Sequence, residues 1–365
     1  MRRFLFLCAA AMVVMASATA VMAETTKTLR IEYAPTSGER FKIENLAGTM
    51  KVVAGGGDKV VAVATLHAED DQLAAMVDFV KVEGPMGEKI LRVQYPVDEY
   101  RTFRYPGRSA ESSSSSFLGL FGGSSSTADY DGHRVKVSSS SGVLLYADVE
   151  VRLPRGEVEG TFRNVVGSIR AEDVGGRLTF DTGSGNIDLA RLEGRIGADT
   201  GSGDINASSI EGSFSGDTGS GDIMLERFRG EEISCDTGSG DVEVRSSTAR
   251  RVSADTGSGS ISVTESDVEE VNADTGSGSI TLEATGNRLM AVLADTGSGD
   301  VTIRLDPQAT FEAMADQGSG RIHNGFEDAR PIVHDREVVG YRRGDARIRI
   351  KVETGSGDLT LEPLH

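Results

Sequence analysis

Asp-Thr-Gly-Ser-Gly occurs seven times in this chain, beginning at Asp181, Asp199, Asp217, Asp236, Asp255, Asp274 and Asp295. An aspartate in such a setting is the working group of acid proteases, where two carboxylates share one proton around an attacking water. That chemistry needs two strings in unlike surroundings, because each of two lobes delivers one carboxylate to a single point. Here the starts lie 18, 18, 19, 19, 19 and 21 residues apart, and degenerate copies follow at Asp316 (DQGSG) and Glu353 (ETGSG). A near-constant period is the mark of a repeat architecture. The string is therefore read as the turn of a stacked coil, and no catalytic residue is assigned.

A second acidic row, Asp204, Asp222, Asp241 and Asp300, stands five residues after the first. Two chemistries fit the paired rows. Each first-row carboxylate is expected to cap its own turn by accepting backbone N–H bonds. The alternative is a ladder of calcium ions held by Asp199, Asp204, Asp217, Asp222, Asp236 and Asp241. The nonapeptide pattern of repeat-in-toxin calcium turns is not met, the five histidines lack metal-site spacing, and no cofactor is expected. A third reading takes the Thr and Ser of stacked turns as a regular hydroxyl grid of the ice-binding kind.

The elements that position these turns are legible in columns. Six residues after each Asp come Ile187, Ile205, Ile223, Val242, Ile261, Ile280 and Val301, and eight after it Leu189, Ala207, Leu225, Val244, Val263, Leu282 and Ile303. This alternation describes a strand with one buried face. Three residues before the Asp the column is again apolar (Leu178, Ile196, Phe214, Ile233, Val252, Val271, Val292), and one before it is small (Ala198, Gly216, Cys235, Ala254, Ala273, Ala294). Each period thus holds two short strands. The turn glycines, expected to tolerate positive φ, are Gly183, Gly185, Gly201, Gly203, Gly219, Gly221, Gly238, Gly240, Gly257, Gly259, Gly276, Gly278, Gly297 and Gly299. One period buries too few aliphatics to offset the entropy of ordering it, so coils must stack. The expected fold is all-β, a parallel β-solenoid of about eleven coils with an 18–21 residue period, capped by a small N-terminal α+β element. Cys235 is read as a small core filler.

The chain opens MRRFLFLCAAAMVVMASATAVMAE, which reads as a signal peptide over residues 1–23, cleaved near Ala23. No later stretch approaches the ~20 apolar residues of a membrane span, so a secreted, periplasmic or cell-surface location is expected. Loss of Arg2 and Arg3 takes the formal net charge from -18 to about -20. Nucleic acid is not an expected partner for such a chain. Residues 24–106 read as the cap with a first degenerate repeat, ENLAGTMKVV from Glu44. Leu73, Met76, Val77 and Val80 have helical spacing there, and ILRVQY alternates like a strand. Residues 107–142 read as a Ser-rich flexible insertion with an apolar island, Phe117–Phe121, and 143–365 as the solenoid, opened by YADVEVRLP. Near the end, Arg347, Arg349 and Lys351 form the outward row of a strand whose buried row is Ile348, Ile350 and Val352.

The Gly-Ser-Gly-Asp-Ile columns, their period, the YADVEVRLP lead-in and the leader together resemble the bacterial "putative adhesin" family of secreted repeat domains of unknown function. The resemblance covers about residues 41–66 and 145–365, with the Ser-rich insertion a departure. It implies a non-catalytic binding or scaffold module facing a protein or glycan of the cell envelope, and it carries no catalytic residues. The competing enzyme class is a polysaccharide-cleaving β-helix, whose acid and base are carboxylates at particular coils. Such enzymes break their period at the active site, and here the acidic residues obey it.

Overall fold

The structure is a computed structural model that describes residues 24–36, 38–85, 87–107 and 125–364. The leader and the Phe117–Phe121 island lie outside the described residues. The N-terminal part comprises β1 (Thr25–Tyr33), β2 (Arg40–Ala47), β3 (Met50–Ala54), β4 (Val60–Ala68), α1 (Asp71–Ala75), β5 (Asp78–Glu83), β6 (Lys89–Gln94), β7 (Thr102–Arg104), β8 (Ser125–Tyr130), β9 (His133–Ser138) and β10 (Val143–Leu153). β4 lies antiparallel between β1 and β10 and buries Val60, Ala62, Ala64, Leu66 and Ala68 on one face. β10 also runs parallel to β3, so the YADVEVRLP strand joins the cap to the stack.

The helix is shorter than its spacing indicates. Asp70 caps it by accepting from the Leu73 N–H at 2.8 Å. It ends at Ala75, and Val80 lies in β5, paired antiparallel with β6. The β-branched run over Val80 and Val82 prefers an extended chain once a partner strand is beside it.

The second half of the Ser-rich segment is also ordered, which corrects the flexible-loop expectation for 125–142. β8 and β9 form an antiparallel hairpin closed at Tyr130↔His133. Asp131 and Gly132 have φ of 49° and 74°, the conformation of the tight turn that Asp-Gly favours. Tyr130, Val135 and Val137 are buried, and the Tyr130 hydroxyl donates to the Val93 carbonyl at 2.6 Å. The Asp-Gly pair was the signal, hidden among serines.

The stack continues as β11 (Val158–Val166), β12 (Ile169–Glu172), β13 (Gly175–Ser184), β14 (Ile187–Thr200), β15 (Ile205–Thr218), β16 (Ile223–Glu226), β17 (Arg229–Thr237), β18 (Val242–Arg245), β19 (Thr248–Thr256), β20 (Ile261–Thr275), β21 (Ile280–Ala284), β22 (Ala291–Thr296) and β23 (Val301–Leu305). It closes with β24 (Phe311–Gln317), β25 (Ile322–Asn324), β26 (Arg330–His334), β27 (Glu337–Arg343), β28 (Ile348–Thr354) and β29 (Leu359–Pro363). Pairing along the stack is parallel and column-true: Asp181↔Asp199↔Asp217↔Asp236↔Asp255↔Asp274↔Asp295. Around the ENLAGTMKVV segment, β2 and β3 run parallel to β11 and β12. The fold is all-β with almost no helix, and its stack is solenoid-like.

Every apolar column faces inward, from stacked Phe162 and Phe180 (centroids 5.3 Å apart) to Leu359 and Leu361. Cys235 is 2% exposed, and burial pushes its thiol up to about 12. The two ends of the core are closed by aromatics: Tyr33, Phe41 and Phe162 meet edge to face at one end, and Phe311 with Phe326 at the other.

Sequence order fails at the far end. β28 pairs with β22 on one side and β24 on the other, through Asp295↔Glu353 and Asp316↔Glu353, and β29 lies likewise between β23 and β25. The last coil in the chain is therefore the second last in the stack.

Candidate functional site

The TGSG corner is held by its threonine, not by its aspartate. Thr200, Thr218, Thr237, Thr256, Thr275 and Thr296 are each 1% exposed. Each hydroxyl donates to a glycine carbonyl one coil back, as Thr237 Oγ1 does to the Gly221 carbonyl at 2.9 Å. From Thr218 onward the hydroxyl also accepts from the second glycine of its own turn, as Thr237 does from Gly240 N at 3.1 Å. One buried hydroxyl thus satisfies two backbone groups that stacking removes from water. In the first coils Asn45 and Asn164, both fully buried, donate instead through their side-chain amides to the Ala147 and Gly48 carbonyls. The threonines consequently present no outward hydroxyl grid.

The first-row aspartates point out of the coil, so the expected capping by Asp181, Asp199 and their successors is corrected. Their neighbours are each other. Burial first, and then the adjacent carboxylates, raise Asp199, Asp217, Asp255 and Asp295 above the usual range. At the N-terminal end the row meets cations. Arg163 stands 3.7 Å from Asp181 and 3.7 Å from Glu44. Burial alone would raise Glu44, yet Lys42 and Arg92 together hold it below the carboxylate range.

Capping falls to the second row, and it acts between coils. Asp241 N–H donates to Asp222 Oδ1 at 2.8 Å, Ser260 N–H to Asp241 Oδ1 at 2.7 Å, and Asp358 N–H to Asp300 Oδ1 at 2.9 Å. The six calcium candidates therefore divide into two rows, one facing solvent and one engaged with backbone. Among the described residues no three His, Cys, Asp or Glu side chains come together as a metal-ligand group.

The turn glycines are needed for a different reason from the one their sequence implied. Among the fourteen, only Gly185 has a φ in the left-handed region, at 144°. For the others the constraint is the coil below. A Cβ on Gly183 would lie 2.8 Å from the Val165 carbonyl oxygen, and one on Gly201 2.5 Å from that of Gly183. On Gly240 it would press still harder on Gly221, and the pattern continues through Gly219, Gly221, Gly238, Gly257, Gly259, Gly276, Gly278, Gly297 and Gly299. Backbone rises on backbone at about 4.8 Å per coil, which leaves no room for a side chain.

Left-handed residues do occur, at a second corner that sequence reading missed. Asp173, Arg191, Ser209, Arg227, Ser246 and Glu265 stack one above another with φ between 51° and 58°. None is glycine. Their common signal was a polar residue two positions after the strand's last apolar position.

Between the corners, one strand face carries three outward columns. Thr179, Gly197, Ser215, Ser234, Ser253 and Asn272 form a floor, which changes to Leu293, Lys351 and Met314 at the far end. The first-row carboxylates flank it on one side. On the other stand Arg177, Arg195, Ser213, Glu232, Arg251, Glu270, Ala291, Arg349 and Glu312. The face holds two shallow grooves of about 780 and 710 Å³ that meet at Glu232 and Ser234. Leu293 and Met314 are 42% and 38% exposed there. Two of the three residues of the basic strip are ion-paired, Arg349 with Glu312 at 2.6 Å and Lys351 with Glu353, while Arg347 is exposed; on the same face Arg251 pairs with Glu270 at 2.6 Å. No helix in the described residues is long and apolar enough to cross a membrane.

Three solved structures, each from a different bacterium, match the chain. A "putative lipid binding protein" from Parabacteroides distasonis matches at 15% identity over 92% of this chain and 96% of its own, with a TM-score of 0.44. A "putative adhesin" from Bacteroides fragilis matches at 10% identity over 92% and 97%, TM-score 0.34. A "putative cell adhesion protein" from Clostridium sporogenes matches at 8% over 94% and 100%, TM-score 0.20. No curated protein matches the chain. Residues 146–362, more than half of the chain, match one family model. The chain belongs to the Toastrack DUF4097 family.

Proposed function

We propose that this protein is a non-catalytic, adhesin-like binding or scaffold module of the cell envelope, exported by its leader and built as a solenoid of about eleven coils. The observation that carries the reading is the strand face between the corners, where three outward columns keep register from Arg177 to Met314. A face of that kind repeats the same spacing at every coil, which suits an extended or repetitive protein or glycan. Some of its charged side chains are ion-paired, Arg251 with Glu270 and Arg349 with Glu312, and its carboxylates follow the repeat instead of breaking it where the acid and base of glycosidic cleavage would stand.

The test has two arms. Cell fractionation should place the mature chain outside the cytoplasm, and the purified protein should retain an envelope protein or glycan. Arg195→Glu with Arg251→Glu should reduce that retention at least tenfold while leaving the circular dichroism unchanged. Retention untouched by the double variant would remove the face from the reading. Release of reducing ends from polysaccharide would replace it with the enzyme class.

A further inference from the structure

The out-of-order coil at the far end has a consequence for assembly. β28 and β29 fill a slot whose walls, β22–β23 and β24–β25, both precede them in the chain. We infer that this slot is a coil-exchange site, able to accept the C-terminal coil of a second copy of the chain in place of its own.

The slot is selective. A Cβ on Gly357 would run into the Gly299 carbonyl, and one on Gly320 into that of Gly357. Only a strand pair carrying Gly-Ser-Gly at its corner therefore fits. Thr354 adds the corner hydroxyl, donating to the Gly299 carbonyl at 3.4 Å and accepting from Gly357 N at 2.9 Å. Ile350, Val352, Leu359 and Leu361 supply the apolar columns at 0–2% exposure. These features are those of this chain's own coils, which identifies the occupant.

Once its own coil has left, the slot can also close without leaving its walls unpaired. Asp316 follows Asp295 by 21 residues, the same interval that separates Asp274 from Asp295. β24–β25 can therefore stack directly on β22–β23 when the C-terminal coil is out, an arrangement that preserves the columns. Two packings with the same chemistry make a bistable element. The connection is a natural hinge: Gly344 and Ala346 have φ of 60° and 59°, and the segment is tied down by Thr310, which donates to Asp345 Oδ1 at 2.5 Å. Exchange of an identical element across such a hinge is the general route to a swapped dimer.

Thr302 and Thr360 are register partners facing outward on β23 and β29, at the ~4.8 Å spacing that a disulfide tolerates. In full-length protein carrying Cys8→Ser, Thr302→Cys and Thr360→Cys are placed on separate chains. The two are unfolded, mixed at high concentration, refolded together and oxidised. The expected result is a disulfide-linked dimer containing one chain of each kind, and at least tenfold less of it when the chains are folded before mixing. The double variant T302C/T360C in one chain checks the geometry by forming an internal bond. An internal bond in that variant with no mixed dimer after co-refolding would overturn the proposal. If the internal bond does not form, native mass spectrometry of co-refolded wild-type protein decides: dimer supports exchange, and monomer alone overturns it.

Discussion

The two corners of each coil solve opposite problems with the wrong-looking residues. At the TGSG corner glycine is obligatory although, Gly185 apart, the turn glycines do not have a left-handed φ, because the carbonyl of the coil below occupies the space a Cβ would need. At the opposite corner φ is left-handed in every coil from Asp173 to Glu265, yet the residues are Asp, Arg, Ser and Glu. The lesson is that glycine in a stacked turn reports crowding between coils as readily as dihedral freedom within one.

The sharpest way to break the comparison is Gly240→Ala. The new methyl would press on backbone at Gly221, which has no rotamer to move, so a loss of about 3 kcal/mol is expected in a denaturant titration. A loss below about 1 kcal/mol would show that the coils can separate to admit it. Next comes Thr237→Val, which preserves shape but strands the Gly221 carbonyl and the Gly240 N–H. A cost of about 2 kcal/mol follows for two buried groups left without partners. Arg227→Gly should act in the other direction. Relief of left-handed strain, partly offset by the entropy of glycine, should stabilise by about 0.5–1 kcal/mol, seen as a higher denaturation midpoint. The same substitution logic fails at Gly240, and that asymmetry is the comparison in measurable form.

The smallest effects belong to the outward aspartates. Asp199, Asp217, Asp255 and Asp295 have folded values raised by burial and then by their neighbours. The folded state therefore binds protons more readily than the unfolded chain, whose aspartates titrate near 3.9. Their favourable contribution is complete below that unfolded value and is lost as pH rises through the raised folded values. Melting temperature should thus climb as pH falls through the raised folded values toward the unfolded one. Asp217→Asn should flatten that climb and add at most about 0.5 kcal/mol at pH 7, given solvent screening. A slope unchanged by the substitution would assign it elsewhere. Calcium at low millimolar concentration should raise the melting temperature no more than magnesium at matched ionic strength, since a specific folded-state site would add its own mass-action term.

The columns were legible in the sequence because burial in a stacked coil imposes one residue class per position: Ile187 through Val301 inside, small residues such as Ala198 and Cys235 at the tight position. Period, strand pairs and turn position follow from that repetition. What each turn residue does was not legible, since Asp, Thr and Gly recur together at every corner and their roles cannot be separated by spacing. The tertiary structure divided them: the hydroxyl of Thr237 turned inward onto backbone, the Asp236 carboxylate turned to solvent, and the Asp222 carboxylate bonded to the next coil. The order of the last coils was also beyond the sequence. Glu353 and Asp316 carry near-equivalent corners, and either could sit outermost by pattern alone. The end of the core decided it, because Phe311 and Phe326, with Arg343 over the Phe326 ring, close an apolar face that the Glu353 coil, lacking an aromatic, would leave open to water.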